Sequence, residues 1–289
     1  MAGTVRLTML NGMGGVDFEA SLRTHAAWGL RTLDLKDSLF GKRVTDLDDA
    51  DLARVRQLID GHGMDVSNLS TQLFEGAVEA GRQAWQREYL AKIPRTIEIA
   101  RVLRPRCIRL LACRTERRSE VADATAYLAE AHPWAIAMYR EAVEQVLGAG
   151  FDVLIENEAH KCIWSRPAEV LGFFERLGGG AGFMWDIQNL WQMGTFPSVE
   201  VYGQLRPLIR QVHLKGGMSE TAGGPLRWRS ALEHASWPVK EIVAAVLADG
   251  VSPILCLNPS HGQAKDGYEY DDVTQRDIEF LRREFPGIR

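Results

Sequence analysis

The chain has 289 residues, 46% of them apolar and 25% charged, with a formal net charge of -4. These are globular proportions, and no apolar run reaches the roughly 20 residues that span a bilayer, so no membrane partner is expected. Negative net charge argues against nucleic acid, a partner that selects a basic face.

The opening stretch Met1-Ala2-Gly3-Thr4-Val5-Arg6 lacks the charged and then apolar segments of a signal peptide, so a cytoplasmic location is expected. Cys107, Cys113, Cys162 and Cys256 are far apart and form no CxxC pair. Neither a disulfide framework nor a cysteine zinc site follows.

Val5–Leu10 reads as a first strand, followed by a glycine-rich turn and a helix over 17–28. Leu30–Leu35 is a second strand, and a helix over 48–59 stops at Gly61-His62-Gly63. Val66–Ser70 is a third strand, and 82–103 a long helix broken or kinked at Pro94. Cys107–Leu111 is the fourth strand; an arginine-rich loop over 112–122 follows, with a helix from Pro133 to Leu147. Strands then end at Glu156, Asp186 and His213, with helices over 167–177 and 198–205 between them. A helix over 238–248, a strand over 253–257 and a helix over 271–283 complete the chain.

Eight strands alternating with eight helices and no composition break predict one domain over 1–289, a (β/α)8 TIM barrel of parallel strands. An open doubly wound sheet is the alternative, but no GxGxxG or GxxxxGK[ST] loop follows any strand. In a barrel, the C-terminal strand ends share one face. Glu156, Asp186 and His213 are therefore expected to meet, and two carboxylates with an imidazole suit Mn²⁺, Mg²⁺, Co²⁺ or Zn²⁺. Glu158 and Lys215 lie two residues beyond Glu156 and His213, a spacing that keeps each pair on one face of a strand. Glu158 is a candidate base; its alternative is a loop residue paired with Lys161 or an arginine. Lys215 is a candidate for stabilising an enolate oxygen, or for an internal ion pair with Glu156 or Asp186. His261, in a Pro-Ser-His-Gly turn, is a proton shuttle or a surface histidine. Trp185 and Trp191 bracket Asp186 and are expected to line the pocket; Asn189 and Arg109 complete the candidate substrate-binding residues. Arg114, Arg117 and Arg118 suit an anion or form a solvated loop balanced by Glu116 and Glu120.

The passages Asp34-Leu35-Lys36-Asp37, Leu154-Ile155-Glu156-Asn157, Trp185-Asp186-Ile187-Gln188-Asn189 and Val212-His213-Leu214-Lys215 resemble the xylose-isomerase-like barrels, the sugar phosphate isomerase/epimerase family. The resemblance covers nearly the whole chain. It implies a divalent metal on Glu156, Asp186, His213 and a fourth position, which falls on Asn258 where the family carries glutamate. Asparagine offers a neutral carbonyl but cannot serve as a base, so the implied ion is weakly bound and one of the family's two bases is missing. The implied activity is isomerisation or epimerisation of a small-molecule carbohydrate by proton abstraction next to a carbonyl. One-base elimination on a keto-sugar and a non-catalytic sugar- or partner-binding barrel are the alternatives. The abasic-site endonuclease branch, with its richer set of histidines and carboxylates, fits poorly with seven histidines and no basic face. Homo-oligomerisation is raised by the resemblance alone.

Overall fold

The alternation of short apolar runs with amphipathic segments produces eight strands in one sheet, in a computed structural model that describes residues 5–289. The reading of Met1–Thr4 as free of a signal segment lies outside the described residues. The strands are β1 (Arg6–Met9), β2 (Thr32–Leu35), β3 (Asp65–Ser70), β4 (Cys107–Leu111), β5 (Asp152–Glu156), β6 (Ala181–Asp186), β7 (Ile209–Leu214) and β8 (Ile254–Leu257). Every pairing is parallel, and the order β1-β8-β7-β6-β5-β4-β3-β2 is closed by a parallel bridge between Leu10 and Asp34. The result is a (β/α)8 barrel.

Eleven helices are present among the described residues: α1 (Phe18–Ala27), α2 (Asp49–Gly61), α3 (Arg82–Glu88), α4 (Ile93–Leu103), α5 (Ala124–Ala131), α6 (Pro133–Gly148), α7 (Pro167–Leu177), α8 (Ile187–Gln192), α9 (Val199–Leu205), α10 (Val239–Asp249) and α11 (Val273–Glu284). Among the described residues, no helix is long and apolar enough to cross a membrane. The single helix expected over 82–103 is two, α3 and α4, separated by a 3-10 turn at Leu90–Lys92. Pro94 sits in the first turn of α4, where a missing N–H leaves no bond unmade. Helix α5 occupies a stretch the sequence left unassigned. Asp123 starts it by accepting from the amides of Thr125 and Ala126, both at 2.9 Å.

Strand alternation divides the side chains between two environments. Residues of one phase pack outward against the helices, in an apolar layer that includes Leu7, Ile108, Val153, Ile155, Phe183, Trp185 and Val212. Residues of the other phase point into the barrel. There Cys107, Leu154 and Met184 form a small apolar cluster. Above it the interior is polar: Asp34, Asn68, Arg109, Glu156, Asp186 and His213 are all buried. Buried polar groups are tolerated only when they satisfy one another, so the barrel core is itself a network converging on the C-terminal strand ends.

Candidate active site

Register sets the site. Asp186 at the end of β6 is level with His213 on β7, and His213 is level with Cys256 on β8. Glu156 ends β5. The donor atoms of Glu156, Asp186 and His213 lie within 4.8 Å of one another, all buried. These buried acidic and imidazole groups can hold a metal ion. The donor set, two carboxylate oxygens and a ring nitrogen, is that of a hard or borderline divalent cation.

Local structure fixes each ligand. Asp186 is also the cap of α8: its Oδ1 accepts from the Asn189 amide at 3.0 Å. Asn157 clamps the strand end before it, donating to the Asp186 carbonyl at 2.8 Å and accepting from the Asp186 amide at 2.8 Å. His213 lies between two carboxylates, with Nδ1 2.8 Å from Glu156 Oε1 and Nε2 3.3 Å from Asp34 Oδ2. Burial disfavours its charged form, yet Glu156 and the Asp34 hydrogen bond outweigh that and hold its pKa well above the ordinary value. Burial likewise pushes Glu156 up, but the charges of His213 and Arg109 prevail and keep it below the usual carboxylate range. Arg109 donates to Glu156 Oε2 and, at 2.6 Å, to the Thr71 carbonyl. Lys215 Nζ donates to Asp186 Oδ2 at 2.7 Å and to Asn189 Oδ1 at 2.9 Å. Asn258, just beyond β8, turns its amide Nδ2 toward Asp186 Oδ2 at 3.0 Å.

A cavity of about 460 Å³ opens over this cluster. Its walls include Lys36, Arg109, Glu156, Glu158, Lys215 and His261. Glu158 keeps a quarter of its side chain exposed, with Arg114 3.9 Å away. Burial in the cavity wall, and then the charge of Glu156, raise its pKa. Lys161 pairs with Glu116 instead of Glu158. His261 is pushed down to about 4 by burial and the Lys215 charge, with Lys36 adding to the effect. A larger cavity, about 690 Å³, opens at the opposite barrel mouth among Arg106, Cys107 and Arg210. Glu156, Glu158, Lys215 and His261 line the first mouth, at the C-terminal strand ends where barrel chemistry is found.

The structure does not bring the two tryptophans to the cavity. Trp185 directly precedes Asp186 on β6, so it takes the opposite phase; it is fully buried and stacks on Tyr202 with centroids 6.2 Å apart. Trp191 lies on α8 against Phe196 and donates to the Gly224 carbonyl at 2.9 Å. Asn189 and Arg109 do line the cavity. Of the arginine-rich loop, only Arg114 reaches it; Arg118 pairs with buried Glu169 at 3.0 Å, and Arg117 with Glu120 at 2.9 Å. Asp34, read in the sequence only as part of the motif Asp34-Leu35-Lys36-Asp37, joins the site through His213. Its position level with the inward phase of β2 was the available signal.

A family model for the xylose isomerase-like TIM barrel matches residues 22–284. The chain belongs to that family. Among solved structures it is similar to a D-tagatose 3-epimerase-like protein (13% identity, TM-score 0.73, 97% of each chain covered). It is also similar to a xylose isomerase-like TIM barrel protein from Mycobacterium smegmatis, solved in complex with magnesium (16%, 0.70, 98% of this chain and 96% of that one). A third likeness is to the probable 3-DHS dehydratase of petrobactin synthesis from Bacillus anthracis (14%, 0.69, 96% and 98%). At such identities the likeness is one of fold. No curated protein matches in sequence.

Proposed function

We propose that this xylose isomerase-like barrel is a carbohydrate isomerase acting by proton transfer at a carbon next to a carbonyl. The observation that carries the reading is Glu158, a carboxylate with a raised pKa on the wall of a polar cavity beside the buried Glu156, Asp186 and His213. A base must sit within reach of substrate and have a pKa near the working pH. The epimerase-like, magnesium-bound and dehydratase relatives support the class.

Glu156, Asp186, His213 and Asn258 would hold a divalent cation, which supplies Lewis acidity to a carbonyl and the neighbouring hydroxyl when bound. Glu158 takes the proton from the carbon between them. Lys215, on the cavity wall, donates to the oxygen that gains negative charge. Gln72, Arg109 and Arg114 line the cavity, and each has a buried polar atom without a protein partner, which suits a hydroxyl-rich substrate. His261, neutral at physiological pH, is a hydrogen-bonding partner and not a strong acid. Glu158 returns that proton to the former carbonyl carbon, while the proton of the neighbouring hydroxyl passes to the former carbonyl oxygen, so that the hydroxyl becomes the new carbonyl and an isomer forms.

Asn258 favours a second reading. With no carboxylate at that corner, a substrate carrying a leaving group next to the carbanion loses it instead, as in a dehydratase. The test is to incubate the protein with Mn²⁺ or Mg²⁺ and a panel of ketoses and keto-sugars in deuterated water. Deuterium entering next to the carbonyl, with an isomer formed, supports isomerisation. Water loss supports elimination. No exchange into any substrate overturns both and leaves a binding barrel.

A further inference from the structure

The buried acids of the ligand set are already met by side chains of the chain itself, two of them permanent cations, Arg109 and Lys215. Asp34, Glu156 and Asp186 are at most 1% exposed; Arg109, His213 and Lys215 are at most 2%. Each acid touches a base: Glu156 meets Arg109 and His213, Asp186 meets Lys215, and Asp34 meets His213. Buried charge is costly unless paired and hydrogen-bonded. A site built only of carboxylates needs an ion to meet that condition. This one meets it with its own side chains.

The oxygens are occupied individually as well. Asp186 Oδ1 caps α8, and Oδ2 receives both Lys215 and Asn258. Glu156 Oε1 faces His213, and Oε2 receives Arg109. Among the described residues, no oxygen of Glu156 or Asp186 is a buried atom without a partner. The fourth corner, Asn258, adds no charge and presents an N–H donor to Asp186. Arg109 is held by a second hydrogen bond to the Thr71 carbonyl and is a rigid fork; Lys215, held by Asp186 and Asn189, lines the cavity on a flexible four-carbon stem and can swing to Asn189 or a substrate oxygen. Lys215 is the cation able to yield.

We propose that Lys215 is the resident counter-cation of Asp186 and competes with the divalent ion for that carboxylate. The ion is therefore weakly held and exchangeable, and the site stays assembled without it. This rests on the reading of Glu156, Asp186 and His213 as the ion site, but not on which reaction follows.

The experiment is calorimetric titration of the full chain with Mn²⁺, alongside thermal melting in EDTA and in Mn²⁺. Wild type is expected to lose its ion on dialysis and to melt at the same temperature in EDTA as after dialysis alone. Lys215→Met and Asn258→Glu are each expected to bind Mn²⁺ more tightly, on the order of 10- to 100-fold. Both should melt lower in EDTA and recover with Mn²⁺. Lys215→Gln carries the same test if the methionine variant does not fold. Wild type that retains its ion through dialysis overturns the proposal. So does a Lys215 variant that binds Mn²⁺ no more tightly than wild type. No turnover is measured, so failure of the isomerase reading leaves this result standing, and a tight wild-type ion leaves that reading intact.

Discussion

His213 and Asp34 meet across the barrel interior, Nε2 to Oδ2 at 3.3 Å, although 179 residues separate them in the chain. The contact orients the imidazole so that Nδ1 faces Glu156, and so fixes which ring nitrogen is presented to the site. Removing one partner of a buried pair leaves the other uncompensated. Asp34→Ala should therefore cost about 3 to 5 kcal/mol of stability, and Asp34→Asn, which keeps an oxygen acceptor, distinctly less. Urea unfolding of both variants measures this. Equal midpoints for Asp34→Ala and wild type would show that the pair holds nothing together.

Glu158 should act as a base only when deprotonated. Its pKa is raised, so activity should fall with decreasing pH through a limb displaced above the ordinary glutamate value of about 4.3. Glu158→Gln should remove that limb and lower the rate of proton exchange by about 10²- to 10⁴-fold. The pH dependence of deuterium incorporation checks both statements. A variant that keeps the wild-type rate would move the role of base elsewhere.

Trp185 belongs to the packing between β6 and the helical layer. Trp185→Ala should cost about 3 to 5 kcal/mol, with the exchange rate per folded molecule little changed. Denaturation midpoints and activity on the folded fraction separate the two effects. A variant of unchanged stability but lost activity would return Trp185 to the substrate pocket.

Asp277, in α11, is buried and accepts from the Leu232 amide at 2.7 Å, and burial pushes its carboxyl up to about 7. Between the unfolded value of about 3.9 and that pH, the folded chain holds a proton the unfolded chain has released. Its contribution should make stability fall as pH rises across this window and level off above it. Asp277→Asn should flatten the slope, read from urea midpoints between pH 4 and 8. An unchanged slope would mean the carboxyl is ionised throughout.

Much of this was legible in the sequence because strand geometry has a period of two. An apolar run ending in Glu156, Asp186 or His213 fixes the end of a strand, and eight such runs alternating with helices leave little choice of fold. The same period places Glu158 with Glu156 and Lys215 with His213. Applied to Trp185 it also gives the outward phase, one residue before Asp186, against the expectation that this indole lines the pocket.

What the sequence alone determined is the barrel, the ends of its strands and the three ligand-type residues, because these depend on local periodicity and chain order. What only the tertiary structure decided is the pairing: Arg109 on Glu156, Lys215 on Asp186, Asp34 on His213. Those contacts depend on strand stagger and barrel closure, which bring each side chain of β2, β4, β5, β6 and β7, and Lys215 just beyond β7, against its own partner. Charge balance in a buried site is a sum over such contacts, and no stretch of sequence contains it.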